Sequence, residues 1–202
     1  MHKARLALAC ELVAIVLLLL MTVVGGAFFP DYSHVQQYIS ELGARGAPHA
    51  GMVRFLGFLP VGVAVVTFAL LAYRLLPRSG MTLLGFLGIG YFGFGYIIAA
   101  LFPCDAGCNP TDPSISQIIH DLVGAGGYLI GTFAVILLGI QAFQWRQATH
   151  VAVAGIILGG LSFLSVQGLS PGFEYVGLIQ RAIEIEVHAW LLICALYLNR
   201  RV

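Results

Sequence analysis

Two short polar stretches carry residue types that can do chemistry. The first is Gln117, His120, Asp121 and Gly124, spaced at offsets of three, four and seven. The second is Arg181, Glu184 and His188, at offsets of three and seven. On a helix such offsets bring side chains to one face. An imidazole beside carboxylates can take up and return a proton near neutral pH. Alternatively, His120 and His188 can ligate a divalent metal such as zinc, with Asp121 or Glu184 as a further ligand or as base for a bound water. Three protein ligands are the usual minimum, and only His34 or His49 from a neighbouring loop can supply the third. Metal is therefore the lesser of the two readings. Haem ligation ranks below both, because no second histidine pair is present.

The elements that must position these residues are membrane helices. Of the 202 residues, 59% are hydrophobic and 9% charged, against roughly 25% charged in soluble domains. A soluble fold of this size has too little interior to hide so much apolar surface. The net charge of +1, with no Lys/Arg run, gives no footprint for nucleic acid. Each membrane span needs about 20 mainly apolar residues. Six fit, at about 6–29, 52–75, 81–102, 113–143, 150–167 and 178–198. The expectation is an all-α, polytopic membrane protein, a six-helix bundle forming a single integral membrane domain over residues 1–202.

Local signals place the connections. Ser33 three residues before Gln36 is a capping-box pattern. Val35, Tyr38, Ile39 and Leu42 follow at helical spacing, and Gly43 suits the helix end. This predicts a short amphipathic helix lying on the membrane surface. Pro60 predicts a kink in span two. Asp112 before Pro113 predicts a capped start for span four, which is long enough to project beyond the hydrocarbon. Glu11 lies inside span one and reads as a group that glues helices together.

Charge asymmetry orients the bundle. Lys3, Arg5, Arg74, Arg78, Arg146, Arg200 and Arg201 fall on the side of the termini, and Arg45, Arg54 and Arg181 on the other. The Lys/Arg excess predicts cytoplasmic termini in a cell membrane. The loops 30–51, 103–112 and 168–177 are then extracytoplasmic. Cys104 and Cys108 fall in the second of these, where a disulfide persists; a metal pair is the lesser alternative.

Both polar stretches map to that outer half. A charged group in lipid costs about 2.5–3.5 kcal/mol or more unless paired or hydrated. Turning the stripes inward to face each other is the cheapest arrangement. It predicts a pocket with His120, Asp121, Glu184 and His188 doing acid–base work, Ser40, Glu41 and Arg181 contacting the ligand, and the loop-one helix as roof. Set against this is a structural ion pair, Arg181 with Glu184 or Asp121, that merely fixes helix register.

The run Tyr38-Ile39-Ser40-Glu41-Leu42-Gly43, the loop Pro103-Cys104-Asp105 with Gly107 and Cys108, the pair His120-Asp121 and the run Gly177-Leu178-Ile179-Gln180-Arg181 together resemble the prokaryotic domain of unknown function 998 family. That resemblance covers nearly the whole chain and implies about six spans and no established activity. A more remote likeness is to the membrane hydrolase superfamily of alkaline ceramidases and adiponectin receptors, which carry a Ser, an Asp and three His at a metal site. Ser40, Asp121, His120 and His188 are similar in type. Where that superfamily has His-x3-His on its last helix, this chain has Glu184-x3-His188, and its sites are not carried over.

Three function classes follow. The first is a membrane-embedded hydrolase or transferase acting on a lipid or lipid-linked substrate, with Arg181 on an anionic headgroup. The second is a non-enzymatic binder or transporter of a small or lipid-like ligand. The third is a structural membrane subunit that docks through its glycine faces.

Overall fold

The computed structural model describes residues 2–200. Arg201, counted above on the cytoplasmic side, lies outside the described residues. Six helices are long and apolar enough to cross a membrane: α1 (His2–Ala27), α2 (Ala50–Leu75), α3 (Gly80–Leu101), α4 (Ile115–Ala142), α5 (Thr149–Val166) and α6 (Val176–Arg200). No strand occurs among the described residues. The chain is an all-helical, multi-pass membrane protein.

Each helix packs against its neighbours in sequence, and α6 closes back on α1, so the bundle is a ring. Glycines set the closest approaches. A Cβ on Gly155 of α5 would sit 2.6 Å from the Gly139 Cα of α4 and 2.6 Å from the Trp190 Nε1 of α6. There α4 and α5 meet backbone to backbone and the Trp190 ring of α6 fits against Gly155, the close approach that small residues allow in lipid. Outward faces stay apolar, with Leu122, Leu164 and Ile185 exposed.

The predicted irregularity in α2 falls just before Pro60, where Val53–Phe58 widens into a π-type turn. Proline lacks the N–H that would continue the ladder, so the turn ahead of it loosens. Arg54 in this turn donates from Nε to the Ala100 carbonyl at 2.8 Å, which satisfies a carbonyl at the end of α3.

Loop one departs from expectation. The surface helix is not formed; its place is taken by a five-residue 3₁₀ turn, Ile39–Gly43, with Ile39, Glu41, Leu42 and Gly43 buried. The Ser33 hydroxyl accepts from Gln36 N at 3.3 Å, as a cap would. The reciprocal bond, however, comes from Gln37, whose Oε1 accepts from Ser33 N at 2.8 Å. The turn closes there, and Tyr38 leaves it extended. The apolar residues then dive into the bundle instead of lying on it.

Span four also starts later than Asp112 suggested. The cap is Ser114, whose hydroxyl accepts from Gln117 N at 3.2 Å. Asp112 is exposed, and Asp105 holds the cap instead, accepting from Ser114 N and Oγ at 2.9 Å each. At about 1.5 Å per residue, the 28 residues of α4 run to about 42 Å, longer than the roughly 30 Å hydrocarbon core.

Candidate functional site

The loops at the α4 start interlock before any ligand is considered. Cys104 and Cys108 are joined by a disulfide. Arg45 N donates to the Cys104 carbonyl at 2.9 Å, and the Arg45 guanidinium lies 3.4 Å from Asp105. The Ser114 backbone N–H, with its hydroxyl and Arg45, holds the Asp105 carboxyl below the usual range despite partial desolvation. Buried Gln117 ties this loop to α4. Its Oε1 accepts from Asp105 N at 2.7 Å, and its Nε2 donates to Asp121 Oδ1 at 2.7 Å.

Two adjacent spaces that share wall residues lie beneath these loops. The outer one, a vestibule of about 340 Å³, has Ser40, Gln117, His120, Asp121, Tyr128 and Gln180 on its wall. The inner one is a cavity of about 50 Å³, bounded by Ser40, Tyr96, His120, Tyr128, Gln180 and Glu184. That is room for a water molecule or a few. Ser40, His120, Tyr128 and Gln180 border both spaces. His120 is half-buried, and its Nδ1 lies 3.0 Å from the Phe102 carbonyl. A carbonyl only accepts, so Nδ1 carries the proton and Nε2 keeps its lone pair. Asp121 is exposed, and among the described residues it is the one carboxylate on the vestibule wall, which includes no Lys or Arg.

Below the cavity runs a buried polar chain. Gln180 Oε1 accepts from Ile39 N at 2.6 Å, and its Nε2 donates to the Tyr128 hydroxyl at 2.8 Å. Tyr128 donates to Glu184 Oε1 at 2.6 Å, and Tyr96 donates to Glu184 Oε2. His188 Nε2 lies 3.8 Å from the same Oε2, and its Nδ1 lies 2.8 Å from Glu11 Oε1. The chain thus joins loop one to α6, α4, α3 and α1. Glu11, read from sequence as helix glue, is the partner of His188.

The predicted pocket divides. Ser40, His120, Asp121 and Glu184 gather around the two adjacent spaces. Ser40 has its hydroxyl 3.5 Å from the Cys108 sulfur. Glu41 borders neither space; it accepts from Gln37 Nε2 at 2.8 Å and Tyr38 N at 2.9 Å and caps the 3₁₀ turn. Burial raises its carboxyl above the usual range, against the lowering pull of those two bonds and of the Arg181 charge. His188 turns to the α1–α6 seam. Arg181 pairs with neither Glu184 nor Asp121; it donates to Gly177 O, Gln37 O, the Tyr32 hydroxyl and His34 Nδ1 at 2.8–3.1 Å. The neutral acceptors of loop one claim it first, because they fold over the α6 start.

The zinc donor set is not assembled. His120 and His188 are engaged separately, and among the described residues no three His, Cys, Asp or Glu side chains are arranged to hold a metal ion. Sequence reasoning missed Tyr96, Tyr128 and Gln180. Two of them carried a signal: Tyr128 continues the 117, 121, 124 stripe, and Gln180 stands four residues before Glu184, as His188 stands four after.

A family model described as protein of unknown function (DUF998) matches residues 12–197, and the chain belongs to that family. No curated protein and no solved structure matches it.

Proposed function

We propose that this family member is a membrane-embedded hydrolase or transferase acting on a lipid or lipid-linked substrate drawn from the extracytoplasmic leaflet. The Lys/Arg excess at the opposite end supports that orientation. The observation that carries the proposal is the setting of His120. It stands where the vestibule meets the inner cavity, with Nδ1 held by a backbone carbonyl and Nε2 unclaimed by the protein. That is the arrangement of an oriented general base. The Ser40 hydroxyl is engaged with the Cys108 sulfur and makes no hydrogen bond to His120, so a water in the inner cavity is the nucleophile, or an acceptor hydroxyl in a transfer reaction. Glu184, with Tyr96 and Tyr128, lies across the cavity to take part in proton exchange. The vestibule wall carries Asp121 and no cation, which favours an uncharged or cationic polar head over an anionic one.

The test uses the reconstituted chain in vesicles of phosphatidylcholine containing a neutral glycosyl diacylglycerol, with products read by mass spectrometry in ¹⁸O-water. Turnover with ¹⁸O in one product is expected. His120→Ala should lower the rate by about 100-fold or more, while the variant still unfolds at the native midpoint. Turnover equal in His120→Ala and native protein would overturn the base assignment. Binding of the glycolipid with no product at all would favour the non-enzymatic binder.

A further inference from the structure

A third space lies outside the vestibule, on the lipid-facing seam between α1 and α6. It is a groove of about 470 Å³. Its walls are mainly apolar, from Ile15 to Val23 on α1 and with Ile185 and Ala189 on α6, and Glu184 and His188 of α6 also border it. Leu19, Val23 and Ile185 are exposed along it. The eight steps from Ile15 to Val23 at about 1.5 Å each give the groove a length of about 12 Å along the helix. At its loop-one end stand Arg181 and His34.

Arg181 is a cation without an ion-pair partner among the described residues. Its four hydrogen-bond acceptors are two backbone carbonyls, a tyrosine hydroxyl and an imidazole. The carboxylates within its field, Glu41 and Glu184, spend their oxygens on Gln37, Tyr38, Tyr96 and Tyr128 instead. Arg181 Nε is buried with no acceptor. Arg181 lies five residues into α6, about 7.5 Å from the helix start, which is headgroup depth if the helix start marks the membrane surface. His34 is exposed. Its Nδ1 lies 3.0 Å from the guanidinium, so that nitrogen accepts and Nε2 carries the proton, on the ring edge that packs beside Gly26 of α1. Partial desolvation and the adjacent guanidinium also lower the ring's pKa from its ordinary value.

We propose that this groove holds one anionic phospholipid of the surrounding bilayer. An acyl chain lies along the α1–α6 seam, and the phosphate sits at the mouth, drawn by the unpaired Arg181 charge and bonded by His34 Nε2–H. Charge complementarity selects the occupant. A neutral lipid fills the apolar seam equally well but leaves the guanidinium uncompensated in a medium where that is costly. The site is independent of the vestibule, whose wall carries the opposite sign.

Leu19→Trp places a reporter on the groove wall; the native Trp145 and Trp190 are buried and contribute little lipid-dependent quenching. The probe is the Leu19→Trp chain in vesicles, quenched by brominated phosphatidylglycerol or by brominated phosphatidylcholine. Phosphatidylglycerol should be preferred by about fivefold, the effect of one interfacial cation. Arg181→Lys should keep most of that preference, and Arg181→Gln should lose it. Because Arg181 also anchors loop one, His34→Ala serves as the second variant; it removes a donor, spares the anchor and should reduce the preference by about half or more. Equal quenching by both lipids in the Leu19→Trp chain would overturn the proposal, as would a preference unchanged in both Arg181→Gln and His34→Ala.

Discussion

Replacing Glu11 with alanine tests whether a buried polar pair holds the α1–α6 seam. The side chains of His188 and Glu11 are 5% and 0% exposed and meet at 2.8 Å. Two known limits bracket the cost. In water-soluble proteins, removing one member of a buried charged pair costs about 3–5 kcal/mol. Between membrane helices, coupling through a hydrogen bond averages about 0.6 kcal/mol and reaches about 1.7, because separated helices still find partners in lipid. The pair here is fully dry, which pushes the cost up. It is also unsaturated, since Glu11 Oε2 and His188 Nε2 have no bond, which pulls it down. The expected loss for Glu11→Ala is about 2 kcal/mol, or about 30-fold in the folding equilibrium. Glu11→Leu with His188→Leu removes both polar ends and should return to within about 1 kcal/mol of native stability. The assay is reversible unfolding in mixed micelles with added sodium dodecyl sulfate, read by tryptophan fluorescence. A loss below about 0.5 kcal/mol in Glu11→Ala, or strict additivity of the two leucine substitutions, would contradict an energetically coupled pair.

Three further outcomes follow from the packing and charges of the bundle. Gly155→Ala forces a methyl group against the Gly139 backbone and the Trp190 ring nitrogen and should cost about 1–3 kcal/mol; Gly160→Ala, which meets nothing within 4 Å, should be neutral or stabilising by up to about 1 kcal/mol, and unfolding midpoints decide. The raised Glu41 carboxyl stabilises the fold at pH below its ordinary range, and that contribution is lost as pH rises through its folded value. Asp105, held low, contributes above its ordinary range and loses this as pH falls through its folded value. Midpoints measured against pH should therefore respond in opposite senses to Glu41→Gln and Asp105→Asn. Finally, Cys104 and Cys108 should react with an impermeant maleimide added outside intact cells only after reduction; labelling without reductant, or only after lysis, would refute the disulfide or the orientation respectively.

The spans were legible because hydropathy and length act on each helix alone. Glu11 shows where that stops. It was readable as a group needing a partner, but the partner lies 177 residues away, and only the ring closure of α6 onto α1 brings the two together. Tyr96 was hidden for a related reason. A tyrosine in a membrane helix reads as an apolar body, and its hydroxyl acquires meaning only when a carboxylate from another helix points at it. The loop-one error was of another kind. Its residues have helical spacing, yet five of them, Ile39–Gly43, are drawn inward to cap the bundle, and burial overrode a surface amphipathic helix.

Arg181 illustrates how one residue step changes a site. The offsets 181, 184 and 188 suggested one inward stripe, with the arginine facing His120 and Asp121. The buried stripe is instead 180, 184 and 188, at uniform spacing of four, and Arg181 is rotated about 100° from Gln180. That rotation carries the cation out of the wall shared with His120 and onto the α1 side, where loop one supplies neutral acceptors. It leaves the vestibule with Asp121 as its formal charge and the seam with a guanidinium. Glu184 borders both the inner cavity and the groove, so one carboxylate of α6, pinned by two tyrosines, separates a polar space reached from the loops from an apolar one reached from the lipid. A substrate with a neutral head and a lipid with an anionic head would therefore meet different faces of the same helix, and exchanging Gln180 with Arg181 should reverse which face each prefers.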